Sequence, residues 1–151
     1  VLIEEKTKLF LHAQKVVYCS DNSALNDVIH QYYGHKQVVD WSTRNERAVV
    51  FITNVSKGEK HSSFNAAIRG VTYTIEIPFS DSASLENACT CIATCVALDL
   101  PLNHIIEKLK KLSPIQLRLQ LLSGSHQFDI INDSYSADLK SLEIALDYMH
   151  M

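Results

Sequence analysis

Three places in the chain combine residue types that could hold a ligand. The first is Ile130-Ile131-Asn132-Asp133-Ser134-Tyr135-Ser136-Ala137-Asp138, an apolar run ending in a polar turn ahead of a helical pattern. In open α/β sheets ligands sit beyond the carboxyl ends of the strands, so Asp133 stands where it can accept hydrogen bonds from a ribose-like hydroxyl. Asp133 and Asp138 serve equally well as plain turn and cap residues. The second is Asn87, in the first turns of a segment rich in Ala and Cys. Its amide offers the paired donor and acceptor that a base edge requires, or a local helix cap. The third is Arg118, a lone cation leading into a strand after Pro114. It suits an anion or a sugar oxygen, or a surface ion pair.

Other chemistries are missing. There is no Gly-rich phosphate loop, no H-E-x-x-H, no G-x-S-x-G and no clear Cys/His pair. Of the four cysteines, Cys89, Cys91 and Cys95 fall in one helical segment, where side chains radiate and mutual disulfides are awkward. No neighbouring His completes a zinc set, so the cysteines read as small apolar core residues of a reducing, cytoplasmic compartment. The net charge of −3, with 14 basic and 17 acidic side chains and no basic stripe, gives no footprint for nucleic acid. No apolar run approaches the roughly 18–20 residues of a membrane span, and the opening Val1-Leu2-Ile3-Glu4-Glu5-Lys6 is no signal peptide. From the residues alone this is a ligand-site segment without a catalytic centre.

The elements that must position these residues follow from periodicity. Residues 3 to 13 read as an amphipathic helix, residues 15 to 19 as a short buried strand, and Asp21-Asn22-Ser23 as cap oxygens for a helix that Gly34 ends. Residues 37 to 40 form the next strand, and this βαβ alternation implies a parallel sheet. Residues 48 to 52, 62 to 68 and 71 to 77 read as an antiparallel set, with Arg69-Gly70 as a turn and Val71, Tyr73, Ile75 and Ile77 on one face. Residues 82 to 98 are apolar nearly all round and predict a deeply buried helix. Pro101 suits N1 of a helix through Leu112. Strands over 117 to 122 and 128 to 131 flank Ser123-Gly124-Ser125, and Asp138 caps a last helix over 139 to 149. The chain, 151 residues long and 46% hydrophobic, reads as one α/β unit of parallel βα pieces with an antiparallel strand insert.

The run from Ile131 to Leu142 resembles the D-D-S-Y-N-A-N-P-x-S signature of the Mur ligases, in the branch that adds D-alanyl-D-alanine. Ser84-Leu85-Glu86-Asn87-Ala88 is similar to that family's H-N-x-x-N-A helix start, Leu117-Arg118 to its G-R pair, and Lys6-Thr7-Lys8-Leu9-Phe10 to its K-x-x-[IL]-F helix. The pieces come in the family's order and span nearly the whole chain. Ala83 and Ser84 stand in place of the His-Asn, Leu117 in place of the Gly, and Ser136, Asp138 and Leu139 in place of Asn, Asn and Pro. The D-S-Y-S-A-D variant resembles the long ligases fused to alanine racemase.

The resemblance implies the C-terminal half of a central ATP-binding domain, with residues 1–151 as a single partial domain. Asn87 would contact adenine; Arg118 and Asp133 would hold the ribose and phosphate region. Lys6 would be a carbamylated lysine that ligates Mg²⁺, since carbamylation turns a cation into an oxygen ligand; a plain solvated lysine is the other reading. The parent enzyme would use ATP and Mg²⁺ to join UDP-MurNAc-tripeptide to D-Ala-D-Ala through an acyl phosphate. Its phosphate loop would precede Val1, and its C-terminal domain would follow Met151. Such a piece would be inactive alone and would leave an apolar sheet edge open to another copy. Two rivals are the folylpolyglutamate-type ligases and a stand-alone, non-catalytic nucleotide-binding or scaffold module.

Overall fold

The computed structural model describes residues 2–113, 119–125, 128–135 and 139–149. A short helix α1 (Leu2–Thr7) tightens into a 3₁₀ turn over Lys8–Phe10 and ends earlier than the amphipathic pattern suggests. Strand β1 (Lys15–Cys19) follows, then α2 (Ser23–Val28), which widens into a π turn over Ile29–Tyr33 and leads to β2 (Gln37–Ser42). Strands β1 and β2 pair in parallel, and so do β2 and β3 (Val50–Lys57). Strand β4 (Ser62–Ile68) then pairs antiparallel with β3, and β5 (Val71–Ile77) antiparallel with β4. All five belong to one sheet in the order β1-β2-β3-β4-β5, with the antiparallel strands β4 and β5 extending the three parallel ones.

The alternation along each strand decides what covers it. On β1, Val16 and Tyr18 point to a small cluster with Ile29 and Tyr33, while Val17 points to the larger core. Helices therefore pack on both faces there, as parallel strands require. From β3 onward only one face is covered. Val50, Ile52, Phe64, Ile68, Ile75 and Ile77 are buried against helices, whereas Thr72, Thr74 and Glu76 face solvent. Val71 is a partial exception to the alternation predicted for β5: it sits beside the turn and is exposed.

That turn is tight. Arg69 (φ 52°) and Gly70 (φ 78°) both adopt left-handed backbone, the type I′ geometry that matches the twist of a two-residue hairpin. Between Thr53 and Ser56 the β3–β4 register shifts, with Asn54 at φ 53°, which makes a bulge.

Helix α3 (Ser82–Ala97) lies across β1, β2 and β3. Its buried residues are Ala88, Cys89, Ile92, Ala93, Val96 and Ala97, one helical face only. The opposite face, with Glu86, Asn87, Thr90, Cys91 and Thr94, is exposed. The expectation of a helix buried all round is thus corrected, because Ala, Thr and Cys are small enough to sit on either side of an outer helix. The helix closes in a Schellman motif: Leu100 N–H donates to Cys95 O (3.0 Å) and Asp99 N–H to Val96 O (3.1 Å). Asp99 takes the left-handed position (φ 54°) and pairs with Arg69 at 2.6 Å, tying the helix end to the β4–β5 turn. Pro101 is the N-cap of α4 (Leu102–Leu109), one position before N1.

Strands β6 (Gln120–Ser123) and β7 (Asp129–Asn132) pair antiparallel as a separate two-stranded sheet. Helix α5 (Leu139–Met149) spans the residues expected; its cap residue Asp138 lies outside the described residues. Ile144 and Tyr148 of α5, partly buried, line a small cavity with Asp81 and Ser82 at the start of α3. On its other side Leu139, Leu142, Leu146 and Met149 are exposed, as are Leu121, Phe128 and Ile130 of the hairpin.

Candidate functional site

Asp133 follows β7 directly, at the carboxyl end of that strand, and is half-buried. Its Oδ1 accepts a hydrogen bond from the Leu119 backbone N–H at 3.2 Å. That bond holds the turn after β7 against the entry to β6, and Leu119 itself takes φ 43°. Arg118 is the residue before Leu119 in the chain and lies outside the described residues. Beside Asp133, the Ser134 hydroxyl donates to Asn132 Oδ1 at 2.8 Å, so this turn is organised by its own side chains.

Asn87 occupies the second turn of α3 and is exposed. It is not the local cap. Asp81 takes that role, its Oδ1 accepting from Ser84 N–H at 2.7 Å. One turn further, Thr90 Oγ1 accepts from Trp41 Nε1 at 3.1 Å and donates to Glu86 O at 2.9 Å. These bonds seat the Asn87 turn on the end of β2 and leave its amide turned to solvent.

Lys6 lies on α1 and is exposed. Its neighbour Thr7 is buried, and Thr7 O accepts from Tyr33 Oη at 2.8 Å, which fixes α1 to the π turn. Among the described residues, no hydrogen bond or ion pair joins Lys6, Asn87 and Asp133 to one another.

The polar group that sequence reading passed over lies at the carboxyl ends of β1 and β2. Asp21, read as a cap oxygen, reaches across to the next strand. The Ser42 hydroxyl donates to its Oδ1, and Thr43 donates to Oδ2 from its N–H (3.0 Å) and its hydroxyl (2.7 Å). Asn22 caps α2 instead, accepting from Leu25 N–H at 3.1 Å. Asp40 receives Ser20 Oγ at 2.8 Å and Val49 N–H at 2.9 Å. Burial tends to raise the Asp21 carboxyl, but these hydrogen bonds outweigh it and hold the group below its ordinary range. With each carboxylate oxygen already bonded, the arrangement is a clamp between strands and not an open ligand cradle. A spacing of 21 residues between Asp21 and Ser42 leaves no local signal that could have found it.

The donor set for a metal is thin. Among the described residues no group of three or more His, Cys, Asp or Glu converges on a point. Mg²⁺ demands near-octahedral oxygen ligation, and Lys6, even carbamylated, is a single ligand. The described residues do not form a Mg²⁺ site by themselves.

No protein-family profile matches the chain. It is 22% identical over 111 residues to the UDP-N-acetylmuramoyl-tripeptide–D-alanyl-D-alanine ligase of Buchnera aphidicola, covering 74% of this chain and 24% of that protein. The crystal structure of MurF from Acinetobacter baumannii superposes with a TM-score of 0.85 at 18% identity, over 99% of this chain and 32% of that one. MurF from Thermotoga maritima, solved in complex with ADP, gives 0.76 at 12% identity, over 99% of this chain and 34% of that one. Folylpolyglutamate synthetase from Lactobacillus casei gives 0.70 at 14% identity, with coverage of 99% and 38%. The chain spans about a quarter of the length of the curated relative and about a third of the solved structures. It has the α/β fold of the Mur ligase central domain, and the resemblance drawn from its D-S-Y, N-A and K-x-x-x-F residues stands beside an independent likeness of fold. No helix among the described residues is long and apolar enough to cross a membrane.

Proposed function

We propose that the chain is the C-terminal half of the ATP-binding domain of a cytoplasmic ligase of peptidoglycan synthesis, which joins D-Ala-D-Ala to UDP-MurNAc-tripeptide. The observation that carries the reading is Asp133. It is the residue of the D-S-Y signature, and it sits half-buried in the turn after β7, where its Oδ1 is held by the Leu119 N–H. In this reading Asn87 contacts adenine from the exposed face of α3, and Asp133 with Arg118 holds the ribose side. Lys6, carbamylated, contributes one oxygen to Mg²⁺ in the parent. The fold alone does not separate this reading from a folylpolyglutamate-type ligase, since both superpose on the chain. The D-S-Y-S-A run from Asp133 and the likeness to the Buchnera enzyme favour the peptidoglycan branch.

A stand-alone binding module is the weaker alternative. A self-sufficient domain rarely leaves Leu139, Leu142, Leu146 and Met149 exposed in a row on one helix. The isolated chain is therefore expected to bind nucleotide weakly or not at all, to form no amide bonds, and to self-associate as its concentration rises in sedimentation runs.

Two experiments test the function. The first reads the coding DNA upstream of Val1 in the same frame, where a G-x-x-G-K-[ST] stretch is expected. Start and stop codons bracketing the 151 residues would overturn the reading. The second substitutes this chain for the matching segment of a full-length MurF and follows phosphate release. Release that needs both UDP-MurNAc-tripeptide and D-Ala-D-Ala supports it, with Asn87→Ala raising KM for ATP by roughly tenfold, the loss of about one hydrogen bond. A folded chimera that releases no phosphate with both substrates present would refute it.

A further inference from the structure

The exposed face of α3 carries two free thiols one turn apart. Cys91 is exposed and Cys95 half-buried, and neither is in a disulfide. Residues four apart on a helix have Cβ atoms about 5–6 Å from each other. A disulfide needs about 3.5–4.5 Å, so direct oxidation would strain the helix. A single bridging atom with bonds to sulfur of about 2.3 Å spans the same gap with the helix intact.

We propose that Cys91 and Cys95 form a paired-thiol site on α3 for a soft, thiophilic centre held between both sulfurs, of the class of trivalent arsenic, mercury(II) or copper(I). The other two cysteines make poor competitors. Cys89 is buried, and burial first of all pushes its thiol up to about 12. Cys19, half-buried at the end of β1, is raised chiefly by burial as well. The Cys95 thiol is also raised, first by burial and then by the adjacent Cys91. Two neighbouring thiolates repel, and a cationic centre between them removes that repulsion. Soft centres select sulfur over the oxygen and nitrogen donors nearby. Asn87 lies one turn before Cys91 on the same stripe, but the site stands on the thiols alone and does not depend on the nucleotide reading.

With an organoarsenic(III) oxide the reaction balances without an oxidant. Each sulfur replaces one arsenic–oxygen bond, the two thiol protons leave with the oxide oxygen as water, and arsenic stays trivalent. The test treats the whole chain with phenylarsine oxide under phosphine reductant. The expected product is one adduct, heavier by the reagent less one water, with two of the four thiols protected from N-ethylmaleimide. Cys91→Ser and Cys95→Ser should each weaken capture by roughly 100-fold, the loss of the chelating second thiol. The Cys19→Ser/Cys89→Ser double variant should label as the parent does. Undiminished capture in Cys91→Ser, or a helical circular-dichroism signal that collapses on labelling, would overturn the assignment. Cys91 is exposed, so its serine variant does not threaten the fold.

Discussion

The Ser42 hydroxyl donates to the Asp21 carboxylate across the carboxyl ends of β1 and β2, and Thr43 completes the carboxylate's hydrogen bonding. The loop after β1 is thereby tied to the end of β2 and the residue that follows it. Ser42 also accepts from Arg44 N–H (3.0 Å) and Asn45 N–H (2.7 Å), so one buried hydroxyl organises the start of the β2–β3 loop. The clamp is structural, and its consequences are for stability.

Asp21→Asn should cost about 1.5–3 kcal/mol at neutral pH, the range for hydrogen bonds to a charged group. The pH dependence has a definite sign. Asp21 is depressed in the folded chain, so its contribution is complete above the unfolded carboxyl value of about 3.9 and fades as pH falls through the lower folded one. Urea unfolding at pH 7 and pH 3 should show a wide gap between parent and variant at the first and a narrow one at the second. An equal gap at both would sink the account.

Gly34 and Gly70 should fail for different reasons. Gly34 follows the π turn with an ordinary right-handed backbone (φ −60°), yet a Cβ there would lie 2.9 Å from the His30 carbonyl oxygen. Backbone cannot step aside cheaply, so Gly34→Ala is expected to lose about 1–3 kcal/mol. At Gly70 a Cβ meets no atom within 4 Å, and only the positive φ of 78° resists it. Gly70→Ala should lose about 1–2 kcal/mol, while Gly70→Asn, tolerant of left-handed backbone, recovers part of that. Thermal melts of these three variants and of Gly34→Asn separate the two mechanisms; recovery by asparagine at Gly34 as well would contradict the steric one.

Much of the architecture was legible because it is local. The alternation in residues 62 to 68 and 71 to 77 gives β4 and β5 with the same limits, and the periodicity from Leu139 gives α5. Gly34 is legible as a helix end, but the crowding that requires glycine there comes from the His30 backbone oxygen and leaves no mark in sequence. The single buried face of α3 was missed because Ala, Cys and Thr look alike to a hydrophobicity pattern whether they pack or not. At the candidate site, Asp133 stands at a strand end as expected, but the strand belongs to the β6–β7 hairpin and not to the main sheet. Its bond to Leu119 was not foreseen, because it depends on how β6 and β7 meet. Pairings of that kind, like Asp21 with Ser42, are set by the sheet and not by neighbours in the chain.

The seating of α3 on the sheet has its own reporter, Trp41, the chain's one tryptophan. Its ring is buried at 4% exposure, and its Nε1 donates to Thr90 Oγ1 at 3.1 Å. Thr90→Val keeps the shape and removes the acceptor, leaving a buried indole N–H without a partner. The expected cost is about 1–3 kcal/mol in urea unfolding, accompanied by a changed Trp41 emission. Thr90→Ser, which retains the hydroxyl, should stay near the parent in both readouts. If valine and serine destabilise equally, the methyl group rather than the hydrogen bond seats the helix. If neither variant differs from the parent, α3 is held by its Ala88, Cys89 and Ile92 face alone, and the Asn87 turn is free to shift against β2.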